Sequence, residues 1–191
     1  MNLIYKISGL KKILLSERFL KEIFVIFLII NFLFNATYQQ YIHFDIEDPR
    51  GAGDANYYQS MANGEYNVYQ LARYRFLIPS LVYLFRKYSL IPIDPGTQDP
   101  NQSIFYVITF FITSVTAYCL YRFNLSLKLN FYSSLFGTCI FIFSRPTIIN
   151  VGTPHIDSFY NLSILVIMLC TVNKKLNYLS IFLPFLILSK I

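Results

Sequence analysis

The stretch Ile23–Ile42, IFVIFLIINFLFNATYQQYI, decides the fold. It runs 20 positions without a charged residue, enough for a helix to cross a hydrocarbon core of about 30 Å. Asn31, Asn35 and Thr37 make its second half more polar, so that half is expected to pack against protein. Residues 1–22 come before it and carry Lys6, Lys11, Lys12, Arg18 and Lys21. No small-residue cleavage site follows. The reading is a cytoplasmic amphipathic segment lying at the interface ahead of an uncleaved span, not a signal peptide.

Four more apolar runs follow. Ser103–Tyr121 is charge-free over 19 residues, and Phe123–Ser144 is interrupted only by Lys128. Ser158–Asn173 and Leu176–Ser189 are shorter, at 16 and 14 residues. The expected fold class is therefore all-α: a polytopic bundle of about five spans over residues 23–191, with a long loop over residues 39–102. Composition agrees. Of 191 residues, 55% are hydrophobic and 14% charged, where a soluble domain carries about 25% charged. Mean hydropathy is +0.47. These figures exclude a disordered chain, a collagen-like chain and a disulfide-built miniprotein, and they argue against a water-soluble enzyme.

The net charge of +6 has a topological explanation. With the N-terminus in the cytoplasm, the inner segments hold nine of the basic residues, among them Lys21, Arg122, Lys128, Lys174 and Lys175. Only Glu17 and Glu22 join them there, and the other eight acidic residues fall outside. Basic inner loops are what the positive-inside rule requires. The loop 39–102 is then outer, and a loop that long escapes the rule. The aromatics sit inside apolar runs rather than along a basic stripe, so nucleic acid is excluded as a partner and the lipid bilayer takes its place. Cys119, Cys139 and Cys170 each lie in an apolar stretch, with neither CxxC nor metal-ligand spacing, and read as structural thiols.

The outer loop has order of its own. Asp54 stands at an N-cap position and Gly64 at a C′ position, which predicts a short helix over Ala55–Asn63 with Tyr57, Tyr58 and Met61 on one face. Arg75–Tyr88 predicts an interfacial helix with Pro79 in its first turn and with Arg86 and Lys87 as headgroup anchors. The sequons at Asn35, Asn101, Asn124 and Asn161 read as chance matches.

Three groups could carry chemistry. In Gly51-Ala-Gly-Asp54, the Asp54 carboxylate can take a proton from a hydroxyl or hold a divalent cation, whereas its plainer role is to cap its helix. Arg73 and Arg75 have the forked geometry that binds phosphate, as well as the simpler option of meeting lipid headgroups. Thr153-Pro-His155-Ile-Asp157 brings an imidazole suited to proton transfer and an acidic residue that is costly beside a span unless it faces protein or water.

At GDANYYQSMANGEY (residues 53–66) followed by RYRFLIPSLVYLF (residues 73–85), the sequence resembles the GT-C superfamily of integral-membrane glycosyltransferases. The resemblance implies an inverting transferase in the bacterial plasma membrane that takes a polyprenyl-phosphate-linked sugar at the outer face. It carries the catalytic acid position to Asp54 and the motif arginine to Arg75, and it matches Asp157 to a second outer polar site. With it go Arg73 as a further phosphate contact, His155 in proton transfer, and Tyr57 and Tyr58 as acceptor or sugar contacts. A divalent cation, Mg or Mn, is left open as a cofactor, with Asp54 its ligand. Members of this superfamily commonly have eight or more spans, so the chain is expected to be the N-terminal portion of a longer enzyme. The alternative is a non-catalytic polytopic protein, either an assembly partner or a transporter subunit.

Overall fold

A computed structural model of the protein describes residues 17–44, 54–68, 75–91, 100–175 and 177, the side chains of Arg18 and Pro100 excepted. Its helices are α1 (Glu17–Ile42), α2 (Ala55–Ala62), α3 (Leu77–Lys87), α4 (Pro100–Ser126), α5 (Phe131–Ile142), α6 (Arg145–Gly152) and α7 (Asp157–Val172). No strand occurs among the described residues, so the architecture is an all-helical bundle.

On α1 the buried positions Val25, Ile29, Leu33, Thr37 and Tyr41 recur every four residues, which makes one stripe toward the bundle. Phe24, Phe27 and Phe34 point away and stay exposed. α4 is the axis and touches α1, α3, α5, α6 and α7. Two of its buried hydroxyls return to their own backbone: Thr109 donates to the Phe105 carbonyl at 2.7 Å and Thr116 to that of Ile112 at 2.8 Å.

Cross-links at both ends of α1 and α4 make them antiparallel. Gln102 Nε2 donates to the Tyr41 carbonyl at 2.7 Å, and the Thr37 and Tyr106 hydroxyls meet at 3.1 Å. At the other end Glu22 accepts from Arg122 Nη1 at 3.1 Å and from the Tyr118 hydroxyl at 2.9 Å. The bundle thus has two poles. At the first pole lie the end of α1, the start of α4, the end of α6 and the start of α7, with α2 and α3 seated beside them. An apolar cluster of Tyr58, Met61, Ile78, Val82, Phe105 and Ile156 glues α2, α3, α4 and the approach to α7 together there.

The span count is supported only in part, and the third apolar run is divided. α1 and α4 are long and apolar enough to cross a membrane, and α5 with α6 makes a third such span if the bent pair counts as one. α7 has 16 residues, short of the roughly 20 a crossing needs, and Leu176–Ser189 lies outside the described residues, as does most of the segment 1–22. Its described end, Glu17–Glu22, forms the first turns of α1. The run 123–144 is divided. α4 continues to Ser126, Lys128 turns the chain at φ 66°, and the Asn130 side chain caps α5 by accepting from the Ser133 N–H at 2.8 Å.

A second break follows at Phe143–Ser144. The Ser144 hydroxyl caps a new helix, Pro146 stands in its first turn, and α6 leaves α5 at 57°. Arg145 is an exposed residue at this bend. Arg86 is exposed and also has partners within the bundle. Its Nη1 hydrogen-bonds Asn63 Oδ1 and reaches Asn101 Oδ1 at 3.4 Å, while Asn101 Nδ2 donates to Asn63 at 3.0 Å, which ties α2, α3 and α4 together.

α6 meets α1 at Gly152, where an added Cβ would stand 2.5 Å from Gln40 Cγ and 3.1 Å from the Tyr41 backbone nitrogen. Gly152→Ala is expected to force the two helices apart and to destabilise the bundle by about 1–3 kcal/mol, the usual cost of overpacking. Thermal unfolding in detergent checks this. An unchanged midpoint would mean that α6 does not lie against α1.

Candidate active site at the first pole

Asp54 was a candidate helix cap, but its side chain makes no capping hydrogen bond. The residue itself is in the helical region, at φ −85° and ψ −11°. The carboxylate turns instead toward Arg75, with Oδ2 at 3.9 Å from Nη1. That distance is an ion pair without a hydrogen bond, loose enough for both groups to engage something else. Gly64, at φ 90°, ends α2 in the left-handed conformation that glycine adopts without strain.

Arg75 Nη1 also donates to the Tyr58 hydroxyl at 3.2 Å. Tyr58 follows Asp54 by one helical turn and is buried. Its ring stands edge-on to the His155 imidazole, with centroids 6.5 Å apart and planes at 79°. Burial pushes the Tyr58 phenol above its usual pKa, and Asp54 and Asp157 push the same way, while the Arg75 hydrogen bond pulls it back. Arg75 is raised in turn, first by the hydrogen bond to Tyr58 and further by the charges of Asp157 and Asp54. Asp157, more than a hundred positions along the chain from Asp54, thus bears on the same pair of side chains.

His155 Nδ1 lies 3.2 Å from the Pro154 carbonyl and 3.4 Å from the Thr153 hydroxyl, which itself donates to Ile149 at 2.8 Å. A carbonyl only accepts, so the contact with Pro154 has Nδ1 as its donor. Asp157 is the first helical residue of α7, after Ile156 at the N-cap, and its charge favours that helix end without capping it.

Asp54, Tyr58, Arg75, His155 and Asp157 are brought together. Tyr57 is not. It lies about 100° around the helix from Tyr58 and is exposed, so the expected shared face of Tyr57, Tyr58 and Met61 holds only for the last two. Arg73, Gly51 and Gly53 lie outside the described residues. Among the described residues no three His, Cys, Asp or Glu side chains gather where they could hold a metal ion, and Asp54 faces a guanidinium.

Sequence reasoning missed Gln59 and Ser158. Both are buried, at 3% and 2% exposure, and among the described residues neither the Gln59 amide nor the Ser158 hydroxyl has a hydrogen-bond partner, nor does the buried Arg75 Nε. Buried polar atoms are normally satisfied, so these three groups are exceptions in the segments that carry Tyr58, Arg75 and Asp157. Polar residues flanking the motif were the available signal, but burial without a partner cannot be read from residue types.

The fold defines an all-helical chain with two or three apolar helices, the hallmark of a membrane protein. Compared with protein families, curated proteins and solved structures, it matches none.

The raised phenol has a consequence for stability. The contribution of the neutral buried Tyr58 is fully present below its ordinary value of 10.0 and is lost as pH rises through the higher folded value. Tyr58→Phe is expected to flatten the alkaline loss of stability relative to the parent, measured by thermal unfolding from about pH 9 to 11. Identical slopes would mean that Tyr58 is not buried.

Proposed function

We propose that the chain carries the first-pole site of a multi-pass membrane glycosyltransferase of the GT-C type. It moves a sugar from a polyprenyl phosphate to an acceptor hydroxyl at the outer membrane face. The observation that carries this reading is the meeting of Asp54 with Arg75 at 3.9 Å, one from each motif segment, with Tyr58, His155 and Asp157 around them. Asp54 removes the acceptor proton, the acceptor oxygen bonds to the anomeric carbon, and the bond from that carbon to the lipid phosphate breaks. Arg75, with Arg73, balances the charge on the departing phosphate. His155 Nε2 is available to relay the proton. The outer assignment is supported by charge, since Lys21, Arg122, Lys128, Lys174 and Lys175 all belong to the opposite pole.

In proteoliposomes supplied with a polyprenyl-phosphate sugar, Asp54→Asn is expected to lower transfer by about 10²–10⁴-fold while membrane insertion is kept. Undiminished transfer would remove Asp54 from the chemistry. The bend between α5 and α6 favours a second reading, a non-catalytic transporter subunit, because transporters use broken helices at their binding sites. That reading predicts solute flux that is insensitive to Asp54→Asn and sensitive to changes at Ser144 or Thr147.

A further inference from the structure

The second pole holds a cavity of about 660 Å³ between α1, α4, α5 and α7, which the transferase reading does not use. Its wall carries three cations, Lys21, Arg122 and Lys175, against one acid, Glu22, with Phe131 and Leu169 on the apolar side. Glu22 is already committed at both oxygens, to Arg122 at 3.1 Å and to Tyr118 at 2.9 Å. It fixes the direction of the Arg122 fork without neutralising the remaining cations. Lys21 pairs with Glu17 at 2.6 Å, but both are largely exposed, at 61% and 83%, so that pair yields readily to a better acceptor.

The level of the cavity in the bundle narrows the ligand. The charge-free part of α1 begins after Glu22, that of α4 stops before Arg122, and that of α7 stops before Lys174. The cations therefore stand where apolar helix gives way to water, at the depth of lipid phosphates. Arginine and lysine beside an apolar wall, between helices, recognise a phosphate whose other end is hydrocarbon.

We propose that this cavity binds a phosphate group, with Arg122 as the fork, Lys175 and Lys21 as supporting charges, and Glu22 and Tyr118 as the residues that position Arg122. The site is separate from Asp54, and Asp54→Asn leaves its binding unchanged.

The test is native mass spectrometry of the purified protein with dioleoyl-phosphatidylglycerol, with dioleoyl-phosphatidylcholine and with inorganic phosphate. Preferential binding of phosphatidylglycerol, weakened about tenfold by Lys175→Gln and by the paired change Glu22→Gln/Arg122→Gln but not by Lys128→Gln, bears out the site with a lipid source. The same pattern with inorganic phosphate bears it out with a free source. No binding of either anion overturns it, as does binding that survives Lys175→Gln. The paired change avoids leaving Glu22 unopposed. If that variant does not fold, Lys175→Gln, on an exposed residue past the end of α7, still decides the question.

Discussion

A charged side chain in the middle of a bilayer costs about 2.5–3.5 kcal/mol even on lenient scales, and an unpaired backbone amide there also costs several. That constraint orders this bundle. The apolar lengths of α1 and α4 satisfy their backbones internally, and the buried hydroxyls of Thr37, Thr109 and Thr116 return to carbonyls of their own helix. The described acids and most of the described bases are pushed to the two ends. Polar groups that would be scattered over a soluble globule are thereby concentrated at two poles.

Concentration alone does not make a site. α2 is short and carries Tyr58, Met61 and Ala62 into an apolar cluster with α3 and α4, while Asn63, Arg86 and Asn101 lock its far end. With α2 held at both ends, Asp54 is carried to the edge of Arg75 instead of capping its own helix. The chain then returns through α6, sets His155 edge-on to Tyr58 and brings the charge of Asp157 within electrostatic reach of Tyr58 and Arg75. The cluster depends on the packing of α6 on α1, where glycine alone allows the approach at Gln40.

Much of this was legible in the sequence because hydropathy and helix punctuation are local. α2 ends at Gly64 as its glycine foretold, α7 starts within a residue of the expected place, and the first and second apolar runs became α1 and α4. The failures share a cause. In residues 123–144 the apolar count hid two breaks, although Lys128-Leu-Asn130 and Ser144-Arg-Pro-Thr147 carry the turn and capping residues that make them. The hydrogen bonds of Arg86 were hidden because its partners, Asn63 and Asn101, stand far away in sequence. The union of Asp54, Arg75 and Asp157 could be anticipated from topology, and the pairing of Glu22 with Arg122, a hundred positions apart, could not.

The account rests on α2 and the corner between α6 and α7 sharing one pole, with the turn between α4 and α5 at the other. Impermeant maleimide labelling tests this most directly, with Cys119, Cys139 and Cys170 replaced by Ser and single cysteines placed at Asn56, His155 or Lys128. The account predicts that positions 56 and 155 react from the same side of sealed vesicles and position 128 only from the opposite side. Labelling of 56 and 155 from opposite sides would contradict it.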